Sequence, residues 1–204
     1  MIRIGLAVEG DTEVKFIEEV VAPQYIEQNY HFTPVDLEGN VSVDRLASKM
    51  HNLGHTFDAV TSLVDFYGFK KKGDRSAADL EKEVQDRLAT RLGGHFDSRY
   101  VFPYVQVHEF EGLLFSDVAP FEQVFGYTGL AGELQAIRQE CGSPEDINDS
   151  EQTAPSKRLA QLIPGYRKNL FGVRLASAMG LACIRTQCPR FDGWMTRIDR
   201  LAGV

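Results

Sequence analysis

The sequence predicts an α/β fold in which a mainly parallel sheet is flanked by helices and is followed by a mostly helical portion. Three observations lead to this prediction. The chain opens with a continuous apolar run, Ile2–Val8, of the kind found in strands that are covered on both faces. Strand-like apolar segments then alternate with segments of helical periodicity, which is typical of parallel sheets. Beyond Ser116 the apolar residues recur mainly at helical spacing.

The elements are predicted in a regular order. After the first strand come a helix from about Thr12 to Glu27 that bends at Pro23, a strand at His31–Leu37, a helix at Val43–His51 and a strand at Phe57–Asp65. Asp11 or Thr12 is expected to cap the first helix. A further helix begins where Ser76 and Asp79 have the spacing of a capping box. A fourth strand is predicted at Tyr100–Val107, and a closing helix carries Phe191, Trp194, Ile198 and Leu201 on one side.

The 204 residues suffice for one sizeable core, or for a core with a smaller appended lobe. We expect an α/β core at 1–118 and a helical extension at 119–204 that packs on it. With 43% hydrophobic and 25% charged residues and no long apolar run, the sequence is typical of a cytoplasmic protein that does not insert into a membrane. The three cysteines form no Cys-x-x-Cys pair, which argues against a disulfide framework and a zinc knuckle. The sequence predicts no oligomeric state.

The charge is divided unevenly along the chain. A net charge of −7 argues against a nucleic-acid partner, because phosphates are bound by Lys and Arg. From Ser156 onward, however, nine basic residues stand against two acidic ones, a balance of +7, so the first 155 residues carry −14. This asymmetry is typical of an acidic metal-binding core beside a basic phosphate-binding flank, and equally of two surfaces that attract each other within the fold.

The first strand ends in an acidic, glycine-containing segment that starts at Glu9. Ligands of open α/β sheets bind just outside such strand ends. A carboxylate at Glu9 is costly to desolvate without a cation or hydrogen-bond donors, so packing does not explain it. Gly10 permits a tight turn beside the acid, while Thr12 and Glu13 are expected to support the start of the helix.

The third strand ends in the same way, with Asp65 followed by a turn that contains Gly68. Adjacent parallel strands would present Glu9 and Asp65 at the same edge of the sheet. Oxygen ligands at this spacing suit a hard divalent cation such as Mg²⁺ or Mn²⁺. For either acid alone the capping of a turn is an equal alternative, but the matched pair favours the metal.

A further set of candidates lies at 108–111. If the fourth strand continues through Glu111, the alternation of side chains puts Glu109 and Glu111 on one face and His108 on the other. One of the two glutamates is then expected to join Glu9 and Asp65 in binding the metal. The segment lacks the second histidine of a zinc-protease motif, and a histidine such as His108 is more often structural than a ligand or proton carrier.

Basic residues supply candidate phosphate contacts. Lys157, Arg158 and Lys168 lie where the basic excess is, and the triplet Lys70–Lys72 follows the expected acidic edge. Fixed positive charges of this kind bind the phosphates that flank a scissile bond. A solvated helix face explains the first three equally well, and a mobile surface loop explains the triplet. The polar segment Gly142–Pro155 is also expected to be mobile.

Several motifs together carry a family resemblance. Glu9-Gly10-x-Thr12-Glu13, followed by Phe16 and by an acid that closes a later strand, resembles the opening of a TOPRIM domain, the metal-binding module of topoisomerases, primases and OLD-type nucleases. The chain as a whole more closely resembles the domain-of-unknown-function family DUF4276. The motifs that carry this second resemblance span most of the chain: Val64-Asp65-Phe66-Tyr67-Gly68, His108-Glu109-Phe110-Glu111-x-Leu-Leu-Phe, Pro155-Ser156-Lys157-Arg158-Leu159, Tyr166-Arg167-Lys168 and Cys188-Pro189-x-Phe191-Asp192-x-Trp194.

The resemblance implies a TOPRIM-like, Rossmann-like sheet with a magnesium site. Glu9 corresponds to the glutamate after the first strand, and Asp65 to the first acid of an Asp-x-Asp element. Tyr67 stands where the second aspartate would be. Because a phenol is a poor ligand for magnesium at neutral pH, one metal position is lost or is supplied by Glu109 or Glu111. Similar proteins act with ATPase partners in defence against mobile elements, which implies such a partner here.

Three functions are consistent with these features. The first is a Mg²⁺-dependent nuclease acting on DNA or RNA, with Glu9, Asp65 and one of Glu109 or Glu111 as catalytic metal ligands. The second is a non-catalytic TOPRIM-like partner that binds an ATPase or nucleic acid without cutting it. The third is a Mg²⁺-dependent phosphohydrolase of small phosphate esters. The chain lacks the Gly-x-x-x-x-Gly-Lys-Ser/Thr loop, so ATP hydrolysis would come from another chain.

Overall fold

The computed structural model describes residues 1–148 and 153–203 of the chain. The segment predicted to be mobile, Gly142–Pro155, therefore lies partly outside the described residues. The chain divides into two compact units: unit 1 comprises Met1–Gln106 with Thr196–Val204, and unit 2 comprises Val107–Met195. The predicted division into 1–118 and 119–204 stays a prediction.

A parallel sheet forms the centre of unit 1. Its strands are β1 (Ile2–Val8), β2 (Tyr30–Asp36), β3 (Ala59–Asp65), β4 (Val101–Phe102) and β5 (Val105–Gln106). The order across the sheet is β2-β1-β3-β4, β5 also pairs with β3, and these pairings are all parallel. All of β3 and the last five residues of β1 are buried, as their continuous apolar runs predict. The predicted α/β fold with a mainly parallel sheet is confirmed.

The helices of unit 1 place apolar faces against the sheet. They are α1 (Asp11–Phe16), α2 (Val43–Leu53) and α3 (Ala77–Leu92). The buried residues of α2 and α3 recur at helical spacing, at Val43, Leu46, Ala47, Met50 and Leu53 and at Ala77, Leu80, Val84 and Leu88. The predicted capping box is present at the start of α3, where Ser76 and Asp79 each accept the backbone N–H of the other.

The first helical segment changes its hydrogen-bonding pattern along its length. The α-helix α1 continues as a π-helix at Ile17–Val21 and then as a 3-10 helix at Ala22–Tyr25. Pro23 has no N–H and cannot donate to an α-helical ladder, which accounts for the change in its neighbourhood. The predicted helical run is therefore present, and Pro23 lies in its 3-10 part.

The predicted strand Tyr100–Val107 is two short strands in the structure. β4 and β5 contain two residues each and are separated by Pro103 and Tyr104. The strand is interrupted because Pro103 cannot donate a ladder hydrogen bond. Ser62 of β3 bridges the gap, since its hydroxyl donates to the Tyr104 carbonyl and accepts from the Tyr104 amide, both at 2.9 Å.

Unit 2 is helical throughout much of its described part. It contains 3-10 helices at Phe110–Ser116 and Pro144–Asp146, α4 (Ala119–Phe125), α5 (Leu130–Gln139), α6 (Pro155–Leu162), a π-helix at Lys168–Gly172, α7 (Val173–Met179) and α8 (Leu181–Gln187). The last helix, α9 (Pro189–Asp199), begins in unit 2, ends in unit 1 and leads to the 3-10 helix Arg200–Gly203. Trp194 on α9 is 3% exposed, as its spacing predicts. None of the described helices is both long and apolar enough to cross a membrane.

Candidate functional site

The ends of β1 and β3 bring two of the predicted site residues together. Glu9 follows β1 directly, and Asp65 is the last residue of the neighbouring strand β3, with Val8 in register with Leu63. The backbone N–H of Asp65 donates to Oε2 of Glu9 at 3.0 Å. Asp65 is 6% exposed, and Glu9 is partly exposed. The predicted meeting of these two acids at one edge of the sheet is thus present in unit 1.

Gly68 makes room for the Glu9 side chain. It lies in the 3-10 turn Phe66–Gly68 that follows Asp65. A Cβ atom built on Gly68 would overlap both carboxylate oxygens of Glu9. Any residue other than glycine at this position must therefore displace either the turn or the carboxylate. The sequence had indicated only a tight turn here, because the side chain that fills the space comes from a different strand.

The start of α1 differs from the prediction. Gly10 occupies the N-cap position with an extended backbone and offers no side-chain cap, so capping by Asp11 or Thr12 is wrong. Thr12 and Glu13 are instead buried, at 6% and 2% exposure. The Glu13 carboxylate lies beside Gly10, 3.8 Å from where a Cβ would be. A buried carboxylate therefore lies beside Gly10, and its position in the first turn of α1 favours negative charge.

The strand β2 also ends in an acid, and this residue is not among the site residues predicted from the sequence. Asp36 is the last residue of β2 and is in register with Val8 of β1. The backbone N–H of Glu38 donates to the Asp36 carboxylate. Because the predicted strand runs to Leu37, Asp36 is expected inside that strand and not at its end. The signal for it was weaker than at β1 and β3, because β2 is only partly apolar and partly buried before it closes on a carboxylate.

The lysine triplet Lys70–Lys72 follows Asp65 and Tyr67 along the chain and brings positive charge to this part of unit 1. The ammonium of Lys72 lies 5.0 Å from the centre of the Tyr67 ring and 5.4 Å from that of Phe66. Arg75 holds the loop, since its Nε donates to the Lys72 carbonyl at 2.6 Å. Lys70 Nζ donates to the side chain of Asn40. Tyr67, two residues after Asp65, therefore contacts the cation of Lys72 with its ring.

Glu109 and Glu111 lie in unit 2 and do not continue a strand. Glu109 precedes the 3-10 helix Phe110–Ser116, so the condition that the fourth strand continues through Glu111 is not met. Oε2 of Glu109 accepts the backbone N–H of Ser156 at 3.0 Å, in the first turn of α6. Glu111 is 3% exposed, and its Oε2 lies 3.9 Å from Nζ of Lys168. Both carboxylates thus have partners within their own unit.

Tyr166 and Lys168 surround the buried Glu111. Lys168 Nζ also lies 5.5 Å from the centre of the Phe110 ring. Burial, reinforced by the charge of Glu111, raises the pKa of Tyr166 well above its usual range, so its phenol is neutral. Lys168 was predicted as a phosphate contact, and its ammonium is partly neutralised here by Glu111.

The remaining predicted residues of unit 2 have distinct surroundings. His108 adopts a left-handed backbone with φ of 62°, and its Nδ1 lies 3.1 Å from the side-chain amide nitrogen of Asn148. Burial lowers the pKa of His108, which keeps the imidazole neutral at pH 7. On α6, Lys157 is exposed, while Nε of Arg158 donates to the Thr153 carbonyl at 2.9 Å.

The family to which the chain belongs is shown by its sequence. A family model described as "Domain of unknown function (DUF4276)" matches residues 8–199. The chain belongs to the DUF4276 family. It matches no curated protein and no solved structure. All of the predicted site residues of this DUF4276 chain, from Glu9 to Lys168, lie within the matched region.

The donor chemistry of the Glu9 and Asp65 pair fits a hard divalent cation. Carboxylate oxygens are what Mg²⁺ takes from proteins, which often supply only one or two of them beside substrate phosphates. Among residues 1–148 and 153–203, no group of three or more His, Cys, Asp or Glu side chains is arranged to hold a metal ion. Within that described part, the chain would therefore supply no more than two such ligands at this edge.

Proposed function

We propose that this DUF4276 chain is a metal-dependent nuclease that hydrolyses phosphodiester bonds in DNA or RNA. The observation that supports it most is the contact between Glu9 and Asp65 at the carboxyl ends of adjacent parallel strands. This is where open α/β sheets bind their ligands. The proposed cofactor is Mg²⁺ or Mn²⁺, held by these two carboxylates.

In this proposal the chain contributes the carboxylates of Glu9 and Asp65 to the reaction. When bound, the metal would polarise the scissile phosphate and activate a water molecule. The N–H of Asp65 fixes one oxygen of Glu9, and Gly68 leaves the space that the Glu9 carboxylate occupies. For Glu109 and Glu111, the contacts with Ser156 and Lys168 favour structural roles over the catalytic role predicted from the sequence.

Two groups of cations support a phosphate-rich substrate. Lys72 is held over Tyr67, next to the acidic edge, by a cation–π contact. In unit 2, Lys157 is exposed on α6, within the part of the chain that carries the basic excess. Arginine and lysine bind phosphates as charge-assisted donors, independently of base sequence. We therefore propose that these cations contact the phosphate backbone of the nucleic acid and do not distinguish one base sequence from another.

The opening motif supports a proposal about the setting of the reaction. Glu9-Gly10-x-Thr12-Glu13 resembles the start of a TOPRIM domain, and similar proteins work with ATPases in defence against mobile elements. We propose an ATPase partner and a cytoplasmic defence role on this basis. The chain has no phosphate-binding loop for ATP of its own, so nucleotide hydrolysis would belong to the partner.

Cleavage assays with acid variants test the proposal. The full chain is incubated with single- and double-stranded DNA and RNA in Mg²⁺ or Mn²⁺. Glu9→Gln and Asp65→Asn should lower the cleavage rate by at least about 100-fold, since even residues that merely support a metal ligand cost about 10- to 100-fold. Glu18→Gln, at an exposed glutamate of the first helical segment, is the matched control and should cleave like the parent chain. Equal rates in Glu9→Gln and Glu18→Gln would contradict the proposal.

One observation favours a second candidate, a partner that binds without cutting. Tyr67 presents its ring to Lys72 where the TOPRIM pattern has a metal-binding acid. If neither the parent chain nor its variants cleave, but filter binding shows retention of nucleic acid, this second function is the correct one. Turnover of p-nitrophenyl phosphate in Mg²⁺, without cleavage of nucleic acid, would indicate a phosphohydrolase of small esters.

A further inference from the structure

Unit 1 contains a cavity of about 470 Å³ that is separate from Glu9 and Asp65. It is lined by His51, Gly54, His55, Arg91, Leu92, His95 and Val101. These residues come from the carboxyl ends of α2 and α3, from the turn after α3 and from the first residue of β4. In a parallel sheet the connecting helices run back to the amino ends of the strands. The cavity therefore lies at the edge of the sheet opposite the acidic one.

Hydrogen-bond donors dominate the lining of this cavity. Three of the five histidines of the chain line it, and none of the described lining residues is acidic. The rings of His51 and His55 are 4.8 Å apart and lie at 89° to each other. An imidazole carries an N–H donor in every protonation state, and the guanidinium of Arg91 carries five. A ligand that fits such a lining must supply several acceptors.

The acids near the cavity are engaged elsewhere. Two acids of α3 accept hydrogen bonds, Asp79 from the backbone N–H of Ser76 and Glu81 from that of Val105. The other acids on or beside the elements that form its walls are in ion pairs: Asp44 and Glu83 with Arg87, Asp58 with Arg3, Asp86 with Lys82 and Asp97 with Arg99. Arg91 instead donates to the hydroxyl of Ser48 at 2.5 Å, and it forms no ion pair within the described parts of the chain. The cavity thus keeps the positive charge of Arg91.

The arrangement suits an anion better than a metal ion. The three histidines do not form a metal site, since the described residues contain no group of three or more such ligands that could hold one. The guanidinium of Arg91 would also repel a cation. The end of α2 contributes few open acceptors, because the amides of Gly54 and Phe57 already donate to the carbonyls of Met50 and Leu53.

We propose that this cavity binds a small organic phosphate. Arg91 matches the oxygens of a phosphate with its paired donors, and His51, His55 and His95 add further donors around the same tetrahedral group. Leu92 and Val101 form an apolar wall for the rest of the ligand. The volume lies within the range of about 300–1,000 Å³ that small-molecule sites occupy. The site is separate from the proposed nuclease centre and does not depend on it.

Calorimetric titration of the full chain tests this site. The ligands are phenyl phosphate and inorganic phosphate, and EDTA is present so that binding through a metal at Glu9 is suppressed. Phenyl phosphate should bind more tightly than inorganic phosphate, because its ring adds the apolar contact. Arg91→Gln and the double variant His51→Ala/His55→Ala should each weaken binding at least tenfold.

Matched controls separate this proposal from the others. Arg174→Gln, at an exposed arginine of α7, and His31→Ala, at an exposed histidine of β2, should bind phenyl phosphate like the parent chain. Glu9→Gln should also bind it unchanged, whether or not that variant still cleaves nucleic acid. His95→Ala, in the exposed turn after α3, gives a second variant if Arg91→Gln does not fold. Equal affinities in the parent, Arg91→Gln and His95→Ala would overturn the proposal, as would uptake of Zn²⁺ by the three histidines without any uptake of phosphate.

Discussion

The acids at the strand ends of unit 1 and the acids of unit 2 are held in different ways. In unit 1 the Glu9 carboxylate is fixed by the backbone of Asp65, so two acidic residues from adjacent strands are in contact. In unit 2 the Glu109 carboxylate accepts the N–H of Ser156, and Glu111 faces the ammonium of Lys168. The Glu9 carboxylate is thus oriented by an amide that belongs to another acidic residue, whereas the charges of Glu109 and Glu111 are offset by a helix amino terminus and by a cation.

This difference bears on the third metal ligand that the sequence predicts. The sequence placed it at Glu109 or Glu111, because those residues follow the fourth strand along the chain. The register of the sheet places Asp36 at the end of the strand beside β1, on the edge that carries Glu9 and Asp65. Within residues 1–148 and 153–203, however, no three such acids are arranged to hold one metal ion, so Asp36 does not complete the site.

The largest expected effect comes from filling the space beside Glu9. Gly68→Ala puts a Cβ where the Glu9 carboxylate lies, so the carboxylate must move away from the Asp65 amide. We expect the rate of Mg²⁺-dependent cleavage to fall by about 100-fold, comparable to the loss of a residue that orients a metal ligand. Calorimetry should show weaker Mn²⁺ binding in parallel.

Gly94→Ala is the control for this substitution. A Cβ at Gly94 has no neighbour within 4 Å, so this variant should cleave and bind Mn²⁺ like the parent chain. Circular dichroism should show that both variants are folded. Full Mn²⁺ affinity in Gly68→Ala would show that the position of the Glu9 carboxylate does not decide metal binding. The acids of unit 1 would then be no better candidates for metal ligands than those of unit 2.

A smaller effect is expected at Glu109, where a structural role leaves activity largely intact. The amide oxygen of Glu109→Gln can still accept the Ser156 N–H, so cleavage should stay within about threefold of the parent rate. Glu109→Ala loses the acceptor at the start of α6 and should lower the free energy of unfolding by about 1 kcal/mol, as removal of a helix cap does. Denaturant titration measures the second effect.

A large loss of cleavage in Glu109→Gln, without loss of stability, would contradict the difference between the acids of unit 1 and those of unit 2. It would return Glu109 to the set of catalytic ligands that the sequence predicts. The same measurement on Glu111→Gln distinguishes the two glutamates, since Glu111 has the ammonium of Lys168 beside it rather than a backbone amide.

The fold was largely predictable because its signals are local. The apolar runs of β1 and β3, the helical spacing of α2 and the capping box of α3 each reflect burial or hydrogen bonding within a few neighbouring residues. The errors occurred where a backbone constraint or a distant contact decides the outcome. Pro103 splits the fourth strand, although the side chains on either side of it are apolar and buried.

The candidate site was predictable only in part, for a related reason. Glu9 and Asp65 each follow an apolar run, so strand periodicity indicated both acids and the edge that they share. The burial of Glu13 and the space at Gly68 depend on side chains from other elements and leave no local signal. Likewise, the cavity lined by His51, His55 and His95 joins residues of two helix ends that no motif connects.

The smallest expected effect is a change in the pH dependence of stability at His108. Burial lowers the pKa of His108 in the folded protein from its ordinary value of 6.5. As the pH falls below that value, the unfolded chain binds a proton first, so the stability present at neutral pH is lost towards the folded-state pKa. His108→Asn removes this titration and suits the left-handed backbone at φ of 62°, since asparagine is enriched there. Its melting temperature should therefore fall less between pH 7.5 and pH 5.5 than that of the parent chain, with the exposed His31→Asn as control. A parallel decline in all three proteins would show that unit 2 does not hold His108 in its neutral form, and that the contrast between the two units is weaker than their contacts indicate.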